Sequence, residues 1–322
     1  MSTDEESKTM HDEKDPADDI PIVLAGPTGS GKSGLALKLA DEVNGVIICA
    51  DSRQVFEHMR IGSAGPTLEE IKRIPHLGYH CISPKEAFAA GDFLRTTDEN
   101  VAKAKATGNR AILVGGTGMY LRAWRYGLDD VPRAKPELRA ELNAELEKEG
   151  VREMHRRLAL IDPVTAAKVE PTDPVRIIRG LEVYAMTGKT ASELRSSHCN
   201  APPRQHAHFF LLNPSREWLL PRIQRRAQQM FDEGLVKEAV ALKAFIDDDS
   251  HRLLNTMGYE EALLLDEKRL SLEEAVEKTH IRQRQYARRQ RTWFKKESWW
   301  TVLDINDDDD VNQAYQIMSA SI

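Results

Sequence analysis

Cysteine is scarce in this 322-residue chain: Cys49, Cys81 and Cys199 are odd in number, far apart and never arranged as CxxC. That excludes a disulfide-stapled scaffold and fits a reducing, cytoplasmic setting. No apolar run approaches the ~20 residues needed to cross a bilayer, so no membrane partner is expected. The N-terminus lacks a hydrophobic signal core, and its acidity argues against a mitochondrial transit peptide. No repeat with a period of roughly 20–50 residues is visible, which excludes a solenoid. With 41% hydrophobic and 30% charged residues, the chain can bury a sizeable core. Its length suits two domains, or one large domain carrying an insertion.

The net charge of −6 hides an uneven distribution. Residues 1–19 hold eight acids against Lys8 and Lys14, and residues 301–322 add five acids and no base. The stretch between them is therefore net +5, which leaves an anionic partner open. The polar, aperiodic residues 1–19 read as a disordered acidic tail.

Short apolar runs at Ile22–Ala25, Val46–Ala50, Ala111–Val114, His208–Leu212 and Thr301–Ile305 suit buried strands. Helical spacing separates most of them, as with Leu35, Leu39 and Val43. Strands alternating with helices predict an α/β fold, a P-loop NTPase-like parallel sheet formed by residues 20–128 and 199–322. Residues 129–198 break the rhythm. Leu138, Leu142 and Leu146 fall at helical spacing, Asp162-Pro163 and Asp173-Pro174 are helix starts, and no strand is evident. An all-helical insertion domain is expected there, with helices again at the C-terminal end of the core.

Gly26-Pro27-Thr28-Gly29-Ser30-Gly31-Lys32-Ser33 matches G-x-x-x-x-G-K-[ST] between a buried-strand pattern and an amphipathic helix. Backbone N–H groups of such a turn converge on an anion at the positive end of the helix dipole. Lys32 adds a movable charge, and the Ser33 hydroxyl suits Mg²⁺. The motif specifies a diphosphate but not the molecule that carries it.

Ligands in such sheets sit beyond the carboxyl ends of the strands. The second run leads into Asp51-Ser52-Arg53-Gln54 and the third into Gly115-Gly116-Thr117-Gly118. Asp51 reads either as an N-cap reciprocated by Gln54 or as a carboxylate facing the phosphate loop, placed to accept a proton. Thr117 reads as a hydroxyl presented to the same cleft or as part of a plain tight turn. A diphosphate cradle, a carboxylate and a hydroxyl suggest transfer involving a diphosphate ester, with a kinase still open.

Residues 281–296 carry seven basic residues and no acid. Arg284, Arg288, Arg291 and Lys295 form one helical stripe, with Tyr286 and Trp293 on a neighbouring, inward stripe. Without acids for i,i+4 pairing, the stripe suits a polyphosphate backbone, and nucleic acid is the favoured partner. Arg222, Arg225 and Arg226 extend this surface or join the diphosphate pocket.

In this order, GPTGSGKS, DSRQ, GGTGMY, DPVRIIRGLEVY, TMGYEE and YARRQRTWF resemble the tRNA dimethylallyltransferase (tRNA isopentenyltransferase) family from about Ile20 to Phe294. The resemblance implies transfer of a dimethylallyl group from dimethylallyl diphosphate to N6 of the adenosine directly 3′ of the anticodon, position 37, with release of diphosphate. It assigns the diphosphate with Mg²⁺ to Gly26–Ser33, the general base to Asp51, and positioning of the reacting amine to Thr117. It implies tRNA contacts by Asp51, Ser52, Arg53, Gln54, Thr117 and Arg139, and by Val175, Arg176, Ile177, Ile178 and Arg179. Further contacts fall on Asn255, Thr256, Met257, Gly258, Tyr259 and Glu260, and on Arg288, Arg289, Gln290, Arg291, Thr292, Trp293, Phe294 and Lys295. The helical insertion would clasp the anticodon stem of a monomeric enzyme with no stable protein partner.

Two departures stand out: Gln283 replaces a frequent Thr of the family, and the acidic tail lies outside its pattern. Cys199, His206 and His208 are too few and too irregular to read as a metal site. The alternatives are an isopentenyltransferase acting on free adenylate, which would need neither insertion nor basic helix, and a P-loop kinase or ATP-gated RNA-binding protein, for which no Walker B strand is evident.

Overall fold

A computed structural model describes residues 20–128, 135–198, 202–248 and 251–322. The acidic segment 1–19 and Cys199 lie outside the described residues. The chain forms two compact units, one made of the residues up to Leu121 and from His206 onward, the other of Arg122–Gln205.

The first part of the larger unit contains β1 (Ile22–Ala25), α1 (Lys32–Glu42), β2 (Gly45–Cys49), α2 (Leu68–Arg73), β3 (His76–Leu77), α3 (Ala90–Ala106), β4 (Arg110–Gly115) and α4 (Gly118–Tyr126), whose end passes into the smaller unit. The smaller unit continues with α5 (Pro136–Glu149), α6 (Val151–Ile161), α7 (Pro163–Ala166), α8 (Pro174–Thr187) and α9 (Ala191–His198). The chain then returns through β5 (His208–Pro214), α10 (Arg216–Asp232), α11 (Leu235–Ile246), α12 (Tyr259–Asp266), α13 (Leu272–Phe294), β6 (Thr301–Ile305) and α14 (Asp308–Ala320).

Six parallel strands are ordered β3-β2-β4-β1-β5-β6. Every residue of β1, β2 and β4 is buried, as expected of strands covered on both faces. The five apolar runs all became strands. The short edge strand β3 was not legible, because His76 and Leu77 are half-buried and form no apolar run. Leu35, Ala36, Leu39 and Ala40 bury one face of α1 against the sheet, among Ile22, Leu24, Ile47 and Ile112. The loops after β2, β4 and β1 thus leave neighbouring strands at the same sheet end.

The smaller unit has its own core, formed by Leu142, Met154, Leu158, Ile177, Ile178 and Leu181. Its helices α7 and α8 are capped as their sequence suggests. Asp162 accepts from Thr165 N at 2.9 Å and Asp173 from Arg176 N at 3.1 Å, each with proline opening the next helix.

Candidate active site

Between β1 and α1 the chain needs a tight turn that leaves its amides free. Gly29 and Gly31 supply it with φ of 81° and 82°, a region closed to most side chains. Ser30 N donates back to Pro27 O at 3.2 Å, closing the loop on itself. Lys32 opens α1 with part of its side chain in solvent and its ammonium enclosed. Loss of hydration, then the nearby Arg226 charge, lowers its pKa to about 8, with Asp51 acting in the opposite direction. Burial likewise lowers Arg226. Among the described residues, Ser30 Oγ and Arg226 Nε are buried without a hydrogen-bond partner. Two cations and orphaned polar groups at a helix N-terminus describe an anion site.

The next two strand ends approach it closely. A Cβ on Gly115 would sit 1.9 Å from the Ala50 carbonyl oxygen, so only glycine lets the β4 turn pass this near the end of β2. Ser52 N donates to Thr117 Oγ1 at 3.1 Å, tying the two turns together. Asp51 Oδ1 accepts from Arg53 N at 2.8 Å and Gln54 N at 3.4 Å, while its Oδ2 takes no hydrogen bond from the described residues. The reciprocal N-cap pairing is absent. No helix begins at Asp51, and Gln54 Nε2 donates instead to the carbonyls of Ser63 at 3.1 Å and Ala64 at 2.7 Å.

Helix α13 completes the arrangement. Gln290 is buried, its Oε1 accepting from Thr28 N and its Nε2 donating to Gly116 O, both at 2.9 Å. One amide therefore joins the β1–α1 turn to the β4 turn. Tyr286 meets Thr117, and burial, with the Asp51 charge, raises its hydroxyl well above the ordinary value. Arg222 stacks on Trp218, 4.1 Å from the ring centre, and donates through Nε to Gly29 O at 3.2 Å.

Two cavities share this centre. One, of about 480 Å³, is bounded by Gly29, Gly31, Lys32 and Ser33, the loop residues Arg60, Ile61, Ala64 and Gly65, and Arg222, Arg225 and Arg226. The other, of about 280 Å³, is bounded by Thr28, Lys32, Ser33, Asp51–Gln54, Gly62–Ala64, Asn255–Met257, Arg226, Arg282, Gln283, Tyr286, Arg289 and Gln290. Lys32, Ser33, Ala64 and Arg226 belong to both. Among the described residues, no three His, Cys, Asp or Glu side chains gather as a metal site. The Ser33 hydroxyl, in the first turn of α1, is an oxygen donor of the kind Mg²⁺ takes.

The remaining expected contacts divide. Tyr259, Ile177 and Phe294 are fully buried, and Ile178, Thr256 and Gln290 nearly so. On these stretches the solvent-facing side chains are others, such as Val175, Arg176 and Arg288. Glu260 is bound to Arg282 at 2.5 Å, and Arg282 also holds Glu261 at 2.7 Å and the Asn255 carbonyl at 2.7 Å. Arg284, Arg288, Arg291, Thr292 and Lys295 do not face Asp51; with Arg216 and Leu219 of α10 they line a separate groove of about 740 Å³. In the smaller unit the Arg139 fork clasps buried Glu182 at 2.5 and 2.8 Å, with Arg179 at 3.4 Å. Burial alone would raise Glu182, and the hydrogen bond and charge of Arg139 more than reverse it, leaving the carboxyl below its usual value.

Sequence reasoning missed Gln290 as a brace, along with Glu182 and Arg282. Only the uncharged Gln inside an otherwise basic run hinted at the first.

The sequence model of the family described as IPP transferase matches residues 54–297. A tRNA dimethylallyltransferase of Myxococcus xanthus is 44% identical over 275 residues, covering 85% of this chain and 89% of that protein. Another from Citrifermentans bemidjiense is 42% identical, covering 86% and 89%. Among solved structures, the full-length tRNA isopentenylpyrophosphate transferase of Bacillus halodurans superposes with a TM-score of 0.66 at 30% identity, covering 94% of this chain and 96% of that one. A eukaryotic dimethylallyltransferase acting on tRNA gives a TM-score of 0.80 at 27% identity, covering 93% and 77%.

Proposed function

The chain belongs to the IPP transferase family and carries tRNA dimethylallyltransferase activity, and from that premise we propose how its two cavities divide the reaction. Dimethylallyl diphosphate lies with its diphosphate on the loop Gly26–Ser33, between Lys32 and Arg226, in the cavity that Arg222 and Arg225 flank. The acceptor is N6 of the adenosine directly 3′ of the anticodon, position 37, which leaves the loop stack and enters the cavity lined by Asp51. Single-stranded loops are where a protein reads RNA by its bases, and backbone contacts offset the unstacking cost.

An adenine amine is a poor nucleophile because its lone pair is delocalised into the ring. In the transfer, N6 bonds to the allylic carbon while the carbon–oxygen bond breaks and its electron pair leaves with the diphosphate. The N6 proton passes to Asp51, whose Oδ2 is uncommitted. Lys32, Arg226 and the loop amides stabilise the charge growing on the leaving group. Ser33 would hold Mg²⁺ together with diphosphate oxygens, adding positive charge at the same place. Thr117, fixed by the Ser52 amide, bounds the amine's side of the pocket. The cationic stripe on the outer face of α13 meets RNA phosphates of the anticodon stem-loop.

The observation that carries this reading is the shared boundary. Lys32 and Ser33 line both cavities, and Asp51 lines the second. Incubation with dimethylallyl diphosphate, Mg²⁺ and an anticodon stem-loop, followed by nucleoside mass analysis, tests it. The expected product is dimethylallyladenosine at position 37. Modification of AMP in preference to the stem-loop would assign the activity to free nucleotides instead.

A further inference from the structure

The two cavities share one more wall, and its support lies outside both. Residues 60–65 place Arg60, Ile61, Ala64 and Gly65 along the loop-and-arginine cavity, and Gly62, Ser63 and Ala64 along the Asp51 cavity. This wall is an irregular turn. Ala64 N donates to Ile61 O and Gly65 N to Arg60 O, both at 2.9 Å, and Ala64 has φ of 49°. The consecutive amides of Arg60, Ile61 and Gly62 point out of the turn and need acceptors that a regular element would otherwise supply.

A single carboxylate takes all three. Glu238, in the first turn of α11, accepts from Arg60 N at 3.0 Å and Ile61 N at 2.9 Å through Oε2, and from Gly62 N at 3.0 Å through Oε1. The fully buried Tyr259 adds a fourth donor, its hydroxyl giving a 2.7 Å bond to Oε1. The Tyr259 ring packs so closely on Gly62 that a Cβ there would lie 2.3 Å from it. Gln54 Nε2 holds the carbonyls of Ser63 and Ala64, linking the same turn to the segment that carries Asp51.

An acid in a first helical turn is ordinarily explained by the helix dipole. The dipole does not explain four convergent donors from two other segments. We propose that Glu238 is a positioning residue for the transfer reaction. Through the 60–65 turn it sets the width of the donor and acceptor cavities together, with Tyr259 holding the carboxylate. The proposal rests on the division of substrates given above, since it is that reading which makes the turn a wall common to both.

Glu238→Gln tests it at nearly constant volume. The amide puts an NH₂ where the carboxylate accepted, so either the Arg60 and Ile61 amides lose their acceptor or the Gly62 amide does. Steady-state kinetics should show KM for dimethylallyl diphosphate and for the stem-loop both rising about fivefold to tenfold, with kcat within about threefold, the signature of weakened binding rather than lost chemistry. Fewer correctly folded molecules would lower kcat and leave both KM values alone, and that result overturns the proposal. So do KM values that both stay within about twofold of the parent. Hydrogen exchange at the amides of 60–62 should accelerate without a global rise; unchanged exchange there also overturns it. Should Glu238→Gln fail to fold, Tyr259→Phe keeps the ring on Gly62 and removes one donor. It should raise both KM values about threefold, and unchanged values count against the proposal. Failure of the parent chain to transfer the prenyl group would instead defeat the reading of the two cavities, and the exchange result would still report on the clamp.

Discussion

Helix α13 carries a basic run in sequence, yet its two faces differ in what they hold. On the inner face, Gln283 and Gln290 are buried, Tyr286 meets Thr117, and Arg282 is bound to two carboxylates and a carbonyl. On the outer face Arg284, Arg288 and Lys295 are exposed along the groove with α10. The inner face holds geometry, because a buried hydrogen bond is directional and costly to leave unmade. The outer face holds charge, which attracts a polyanion at long range and is screened by salt. Basic composition along a helix therefore does not amount to one function.

The comparison breaks first at the centre that the inner face encloses. Asp51→Asn keeps an oxygen for the Arg53 and Gln54 amides but removes the proton acceptor. Transfer should fall about 10²–10⁴-fold with stem-loop affinity nearly unchanged, measured by single-turnover assay beside equilibrium binding. Near-normal transfer would remove Asp51 from the chemistry.

Next in size is the brace. Gln290→Leu strands the Thr28 amide and the Gly116 carbonyl in a buried site. It should cost about 2–4 kcal/mol in denaturant unfolding and reduce turnover as well. A loss below about 0.5 kcal/mol, ordinary for a surface change, would place Gln290 with the outer face instead.

The outer stripe should respond in a different way. Arg288→Ala with Arg291→Ala should raise KM for the stem-loop about tenfold and leave kcat nearly unaltered. The slope of log affinity against log salt should flatten by about 0.7–0.9 for each RNA phosphate that is no longer neutralised. A fall in kcat alone would erase the distinction between the faces.

The smallest effect expected is in pH. Lys32, lowered to about 8, is charged below that value and neutral above it. The kcat/KM for the diphosphate donor should therefore decline as pH rises through about 8. Lys32→Arg, charged throughout, should lack that limb of the profile.

Much of the fold was readable in one dimension. Four short apolar runs marked strands because a strand covered on both faces tolerates few polar residues, whereas β6, at the sheet edge, buries only Leu303 and Ile305. The tight turn between β1 and α1 was readable because Gly29 and Gly31 answer a local demand for positive φ. β3 escaped because two half-buried residues carry no periodicity. At Asp51 the two readings of the sequence could not be separated locally. Gln54 turned away to the Ser63 and Ala64 carbonyls, partners nine and ten residues on. On the stretches 175–179, 255–260 and 288–295, which side chains face outward depended on packing. Glu238 left no signal at all, since one acid among helix formers looks like any other.

Local rules thus determined five of the six strands, the glycine turn before α1 and the basic character of α13, because strand burial, turn conformation and helix charge are written over a few neighbouring residues. The folded chain alone decided that Gln290 would join Thr28 to Gly116 across 262 and 174 positions, and that Glu238 would hold a turn 176 to 178 residues away. A hydrogen bond acts only over about 3 Å, and its partners are chosen by where the sheet and helices bring them.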